Sequence, residues 1–132
     1  MTDIDWDDYA HFEEDEFRCR GVDCCGGLAL MTPSFVFRLQ RIRDVYRRPM
    51  VVTSGYRCAV HNMKVGGAVG VHPSGHAVDL AVWGRDAFAL QMLAASKGIT
   101  GIGVKQHGPK SGRFLHLDDL SNETRPWIWS YK

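Results

Sequence analysis

Val71-His72-Pro73-Ser74-Gly75-His76-Ala77-Val78-Asp79-Leu80-Ala81-Val82 is the stretch on which the reading of this chain turns. From His76 onward it reads as an extended strand. Successive side chains of a strand alternate, so Val78, Leu80 and Val82 share one face while Ala77, Asp79 and Ala81 share the other. Small residues on either side of a single carboxylate leave it room to point into a cleft. A second strand, Arg113-Phe114-Leu115-His116-Leu117-Asp118, has the same logic: Leu115 and Leu117 face a core, and Phe114, His116 and Asp118 face away from it. One strand thus aims a carboxylate, and another a histidine, out of the apolar interior. His72, just ahead of the first strand, is a third polar candidate. His76 falls on the wrong side of its strand relative to Asp79 and is left out of the set.

Working outward, Gly101 to Gln106 and residues 113–118 predict a hairpin around His107-Gly108-Pro109-Lys110-Ser111-Gly112. Upstream, Thr32-Pro33 opens a helix, with Thr32 as N-cap and Pro33 in the first helical position. Phe35, Leu39, Ile42 and Tyr46 recur at helical spacing, Arg38, Arg41, Arg43 and Arg47 fill the polar side, and Pro49 stops the helix. Met50 to Ser54 is a short strand, residues 58–65 a short helix broken by Gly66-Gly67, and Asp86 to Lys97 a further helix closed by Gly98. Residues 9–31 read as an irregular, Cys- and Gly-rich entry segment. Trp127, Trp129 and Tyr131 alternate in the tail and are expected to pack as plugs or lids rather than as sugar platforms. Interspersed strands and helices with a late hairpin predict an α+β fold: a small, mostly antiparallel sheet with flanking helices.

At 132 residues the chain has room for one domain, and its 45% hydrophobic and 23% charged composition suits an ordinary globular core. No apolar run approaches the ~20 residues of a membrane helix. Met1 to Asp8 carries four aspartates and no base, so no secretory signal is visible and synthesis in the cytoplasm is expected. The net charge of +1 conceals an asymmetry: eight of the 15 acids lie in the first sixteen residues, and all 16 Lys and Arg come later. Residues 17–132 therefore hold 16 bases against 7 acids, a net of +9. Such a body suits an anionic partner, nucleic acid or bacterial cell wall, unless the acidic arm of residues 1–10 folds back and neutralises it.

Cys19, Cys24, Cys25 and Cys58 match no common zinc-ribbon spacing, and adjacent Cys24 and Cys25 would strain to hold one metal. A disulfide formed after export, or small buried thiols, is the favoured reading over a structural four-cysteine zinc site. His72, Asp79 and His116, by contrast, make a three-ligand zinc set that leaves a fourth position for water, the mark of a hydrolytic site. Zinc lowers the pKa of its water to about 7 and polarises a carbonyl, as amide hydrolysis requires. Taken singly, each of the three residues is more often an ordinary solvated or hydrogen-bonded side chain; the combination carries the reading.

His72-x-x-Gly75-x-Ala77-x-Asp79 resembles the S-x-H-x-x-G-x-A-x-D signature of the M15 group, the D-alanyl-D-alanine carboxypeptidase-like zinc peptidases. Other blocks agree in order: His11-Phe12, Glu16-Phe17-x-Cys19, Val52-Thr53-Ser54-Gly55-Tyr56-Arg57-Cys58, His61-Asn62, Val65-Gly66-Gly67, Gly101-Ile102-Gly103-Val104 and Phe114-Leu115-His116-Leu117-Asp118. The resemblance spans roughly residues 11–130 and is closest to short, single-domain bacterial and phage members. It implies a hedgehog/DD-peptidase-like fold over residues 11–132, zinc on His72, Asp79 and His116, and an Arg57 that reaches the substrate. Arg57 would hold the scissile carbonyl oxygen or a peptide carboxylate; the plainer role for it is a salt bridge, for instance to the acidic arm.

Two departures stand out. The signature's first Ser is Gly70, and the position three before the last histidine, where studied members carry a general-base carboxylate, is Arg113. Asp118 is the replacement candidate, either as base or as hydrogen-bond partner fixing a ligand histidine's tautomer, with the second role favoured; His107, Asp119 and His61 are weaker alternatives. The expected function is zinc-dependent hydrolysis of peptidoglycan stem peptides at a bond involving D-amino acids, as carboxypeptidase or endopeptidase. The protein would act as a monomer on the wall, after phage-type release, with no nucleic-acid or membrane partner. The alternative is a zinc-containing wall-binding or phage structural module that has lost turnover.

Overall fold

The central strands of the sheet turn an apolar face inward that must be buried, and this requirement organises the molecule. The computed structural model describes residues 4–132, so the first three residues of the acidic arm lie outside the described residues. Helix α1 (Pro33–Tyr46) precedes strand β1 (Val51–Ser54) and the short helix α2 (Ala59–Lys64); strand β2 (Ala77–Ala81), helix α3 (Gly84–Ser96), and strands β3 (Gly101–Lys105), β4 (Phe114–Asp118) and β5 (Trp127–Ser130) follow. The sheet order is β1-β2-β4-β3-β5. Every pairing is antiparallel except β3 with β5, which is parallel.

One face of the sheet presents Val78, Leu80, Leu115, Leu117 and Ile102 to the helices. They join Phe35, Val36, Leu39 and Ile42 of α1 and Ala87, Leu90 and Ala94 of α3 in a single buried cluster. Each fully buried Phe, Leu or Ile contributes about 1.5–3 kcal/mol, and α1 supplies four side chains of zero exposure. The helix ends at Tyr46 rather than at Pro49 because Arg47 takes a left-handed φ of 61°, its N–H closing on the Arg43 carbonyl. Thr32 sits at the N-cap position, but its hydroxyl donates to the Ser74 carbonyl at 3.2 Å instead of capping α1. The start of the helix is thereby tied to the turn that carries His72.

The entry segment is anchored by aromatics. Trp6 stacks on Phe17 with ring centroids 5.2 Å apart, and Phe12 meets Phe17 edge-on at 5.6 Å. The Tyr56 N–H donates to the Phe17 carbonyl at 3.0 Å. Gly55 has no side chain because a Cβ there would lie 2.8 Å from the Phe17 Cα. Part of the acidic charge is met locally, with Arg18 bridging Glu14 at 2.5 Å and Asp15 at 2.7 Å.

Candidate metal centre

The antiparallel register sets the site. Asp79 on β2 lies directly opposite His116 on β4, His116 opposite Gly103 on β3, and Gly103 beside Trp129 on β5. On the other flank a bulge between Val52 and Ser54 pairs Ser54 with Asp79. One row of residues thus crosses all five strands on the face opposite the helices. Gly103 is what lets the row close: a Cβ there would sit 2.7 Å from Trp129 Nε1 and 2.8 Å from Tyr131 Cε2. With no side chain in between, the Trp129 ring packs against His116 at 5.1 Å.

His72 arrives from outside the sheet, on a single 3-10 turn (His72–Ser74) that contains Pro73 and ends on Gly75. Gly75 has φ 76°, and a Cβ would run into the Leu30 carbonyl, so only glycine fits both the turn and the close approach. His72, Asp79 and His116 are all buried, and one donor atom from each falls within 4.8 Å of the others. Asp79 Oδ1 is 3.4 Å from His72 Nε2 and 3.1 Å from His116 Nδ1. Donors about 2.0–2.1 Å from one tetrahedral ion lie about 3.3 Å apart.

Proton bookkeeping sharpens the case for a cation. The remaining nitrogen of His72, Nδ1, faces the Gly55 carbonyl at 2.8 Å and must donate to it. The remaining nitrogen of His116, Nε2, faces the Asp118 carboxylate at 2.7 Å. Asp118 is an acceptor there: burial alone would push its carboxyl up, but hydrogen bonds from Arg125 and His116 prevail and lower it to about 2. Two neutral rings would therefore turn bare lone pairs toward the carboxylate of Asp79. Either extra protons or one shared cation must fill the gap. In the metal-free protein burial disfavours a charged His116, but Asp118 and Asp79 outweigh it and raise its pKa. Burial would raise the Asp79 carboxyl, but hydrogen bonds with His116 and His72 hold it well below the usual range. Two imidazoles and a carboxylate are a donor set that suits zinc.

The three residues lie in a cleft of about 670 Å³ that is also lined by Arg57, Phe114, Glu123, Arg125, Trp127, Trp129 and Tyr131. Arg57 is held on three sides: Nε donates to Ser54 Oγ at 3.0 Å, Nη1 to Asn62 Oδ1 at 3.3 Å and Nη2 to Asp79 Oδ2 at 3.3 Å. Its salt bridge is to Asp79, not to the acidic arm. Burial raises the Tyr131 pKa, with the Asp79 and Asp118 charges adding to it and Trp129 and Arg57 opposing, so the phenol keeps its proton.

Several expectations need correction. Asp118 does share the His116 face, but it is fully buried, and both oxygens are engaged by Arg125 and His116. It therefore orients His116 and is not placed as a general base. Arg113 points away and donates to the Gly108 carbonyl. Asp119 is bound to His76 at 2.7 Å and Arg38 at 3.2 Å, His107 leans on the Tyr131 carbonyl at 3.1 Å, and neither lines the cleft, nor does His61. Of the tail aromatics, Trp127 is 64% exposed and plugs no core, whereas Trp129 and Tyr131 are half-buried and pack on His116 and Phe114; all three line the cleft. Glu123, Arg125 and Tyr131 also line the cleft, and no motif in the sequence marks them as site residues. The alternation Trp127, Trp129, Tyr131 was the available signal, but it needed β5 to be recognised as a strand beside β3.

A family profile described as Peptidase M15 matches residues 10–118, and no curated protein matches the chain. The chain belongs to the peptidase M15 family.

Proposed function

We propose that this M15 peptidase is a zinc-dependent hydrolase of peptidoglycan stem peptides, cutting an amide bond that involves a D-amino acid. The observation that carries the reading is the convergence of His72 Nε2, Asp79 Oδ1 and His116 Nδ1 on the floor of a cleft that also holds Arg57. A zinc ion bound by these three atoms supplies Lewis-acid polarisation of the scissile carbonyl and an activated water. Everything else is the task of the chain's own groups. Arg57, clamped by Ser54 and Asn62, presents a permanently charged fork to a substrate carbonyl or carboxylate. Tyr131 remains a neutral phenol and can donate to developing negative charge on the substrate oxygen. Glu123, the one carboxylate besides Asp79 among the lining residues, is the group we assign to accept and return the proton. Trp127 and Trp129 offer flat apolar walls to the peptide. The surplus of bases after residue 16 favours an anionic wall polymer, and we place the protein there as a monomer, after phage-type release.

Digestion of purified peptidoglycan, followed by mass spectrometry of the muropeptides, tests this. New amino termini or released D-Ala are expected from the wild type and should vanish with a chelator or with His72→Ala. Cleavage that survives both treatments sinks the mechanism. One observation favours a second reading, a wall-binding module without turnover: Asp118 is sealed from the cleft and Arg113 stands where the family's carboxylate would be. Zinc-dependent retention on wall sacculi with no new amine would select it.

A further inference from the structure

Away from the cleft, the fold gathers every cysteine of the chain into one place. Cys19, Cys24, Cys25 and Cys58 contribute Sγ atoms that all lie within 4.8 Å of one another. The Cys19–Cys24 separation is 3.9 Å and the Cys24–Cys25 separation 4.0 Å. Four sulfurs each about 2.3 Å from one tetrahedral zinc would be about 3.8 Å apart. Cys19 and Cys58 are buried, and none of the four is joined in a disulfide.

The backbone is shaped around this cluster. The Cys19 N–H donates to the Leu28 carbonyl at 2.7 Å and closes the loop. Within it Asp23 takes φ 54°, Gly26 φ 74° and Gly27 φ 80°, conformations that turn the chain sharply and let neighbouring Cys24 and Cys25 both aim inward. The strain expected of adjacent ligands is thus absorbed by left-handed turns on either side. Gly21 makes room, because a Cβ would lie 2.5 Å from Cys24 Sγ. Two main-chain N–H groups point at sulfur: Cys58 N at Cys19 Sγ and His61 N at Cys58 Sγ, each 3.5 Å. Donors directed at sulfur stabilise thiolates and tune metal–thiolate centres. Buried thiols acting only as small hydrophobes would not call for them.

We propose that these four cysteines bind a second, structural zinc ion. Its coordination sphere would be closed by protein sulfur and hence without a place for water. The ion would pin the entry loop to Cys58, which directly follows Arg57 and lies three residues after Gly55, whose carbonyl holds His72. Its function is to hold in register the segment that presents Arg57 to the cleft.

The test uses full-length protein purified without chelator and under reducing conditions. Elemental analysis should give two zinc ions for the wild type and one for the His72→Ala/His116→Ala double variant. X-ray absorption on that variant should show a shell of sulfur alone near the ~2.3 Å of zinc–thiolate bonds. Cobalt substitution of the wild type, which needs no mutation, should produce intense thiolate-to-cobalt charge-transfer absorption. A mercurial thiol reagent should release one zinc per four thiols. Cys24→Ser/Cys58→Ser should lose that ion while the cleft still binds one, if the variant folds. The proposal is overturned by a double variant without zinc, by nitrogen and oxygen ligands only, or by a cobalt form lacking the charge-transfer band. Because this ion is read out spectroscopically, failure here is distinct from failure of peptidoglycan hydrolysis.

Discussion

Arg125 donates through Nε and Nη2 to the two carboxylate oxygens of Asp118, at 2.9 and 2.8 Å, and Asp118 in turn accepts from His116 Nε2 at 2.7 Å. The pair fits because Gly101, opposite Asp118 on β3, has no side chain; a Cβ there would sit 2.5 Å from Arg125 Nε. A buried arginine–carboxylate pair thereby decides which ring nitrogen of His116 is free.

Asp118→Asn should therefore damage metal binding more than folding. An asparagine amide turned toward His116 would offer a donor where the ring needs an acceptor and would push the ring proton onto Nδ1. Zinc affinity is expected to fall about 10–100-fold, read by competition with a chromophoric chelator. Arg125→Met strips the buried carboxylate of its permanent counter-charge, leaving it only His116 and the Leu120 N–H, and should cost up to about 3–5 kcal/mol in urea unfolding. Unchanged affinity in the first variant would remove Asp118 from the site.

Acid should weaken the fold through the same carboxyl. Its pKa is about 2 in the folded protein, where burial raises it but Arg125 and His116 lower it more, against about 4 in an unfolded chain. A pKa lowered on folding gives stability that is fully present above the unfolded value and is lost as pH falls from about 4 toward 2. The loss is on the order of 2 kcal/mol. Urea unfolding of metal-free protein across that window measures it, and Asp118→Asn should flatten the slope.

Protons and metal compete for His116. Burial lowers its basicity, but Asp118 and Asp79 raise it more, so the metal-free ring holds its proton above the ordinary histidine range. Metal binding must expel that proton. Zinc affinity should therefore decline as pH is lowered, starting above the pH at which an ordinary histidine takes up its proton, with proton release detectable by calorimetry in buffers of different ionisation enthalpy. A pH-independent affinity would show that the His116 ring carries no extra proton.

Gly103→Ala tests the row across the sheet. The added methyl would meet Trp129 and Tyr131, at a cost of about 1–3 kcal/mol. Tryptophan fluorescence should change as Trp129 leaves His116, and peptide hydrolysis should drop while zinc content holds. A variant with wild-type emission and melting would mean that the tail strand yields without consequence.

Glu123→Gln should lower kcat by about 100-fold or more with KM and zinc content little altered. Undiminished turnover would move proton transfer to another group.

Much of this architecture was legible beforehand because strand periodicity is strict. Val78, Leu80, Leu115 and Leu117 could face only one way, which forced Asp79 and His116 onto the other face. Strand β5 leaves no such signal, since Trp127 and Ile128 are both exposed and the edge strand shows no alternation between buried and solvated positions. Strand alternation puts Asp118 on the His116 face, but its cover, Arg125, comes from a loop whose path no local pattern reveals. Cys58 joins three thiols that lie 33 or more positions earlier, a closure that spacing alone does not encode.

The row from Ser54 through Asp79, His116 and Gly103 to Trp129 runs at right angles to the chain, and the order of its strands is not the order of synthesis. No early hairpin or amino-terminal fragment can assemble a reactive centre by itself. The three candidate ligands meet only once β4, the fourth strand in chain order, has paired with β2, so chain emergence past His116 is the step that creates the centre.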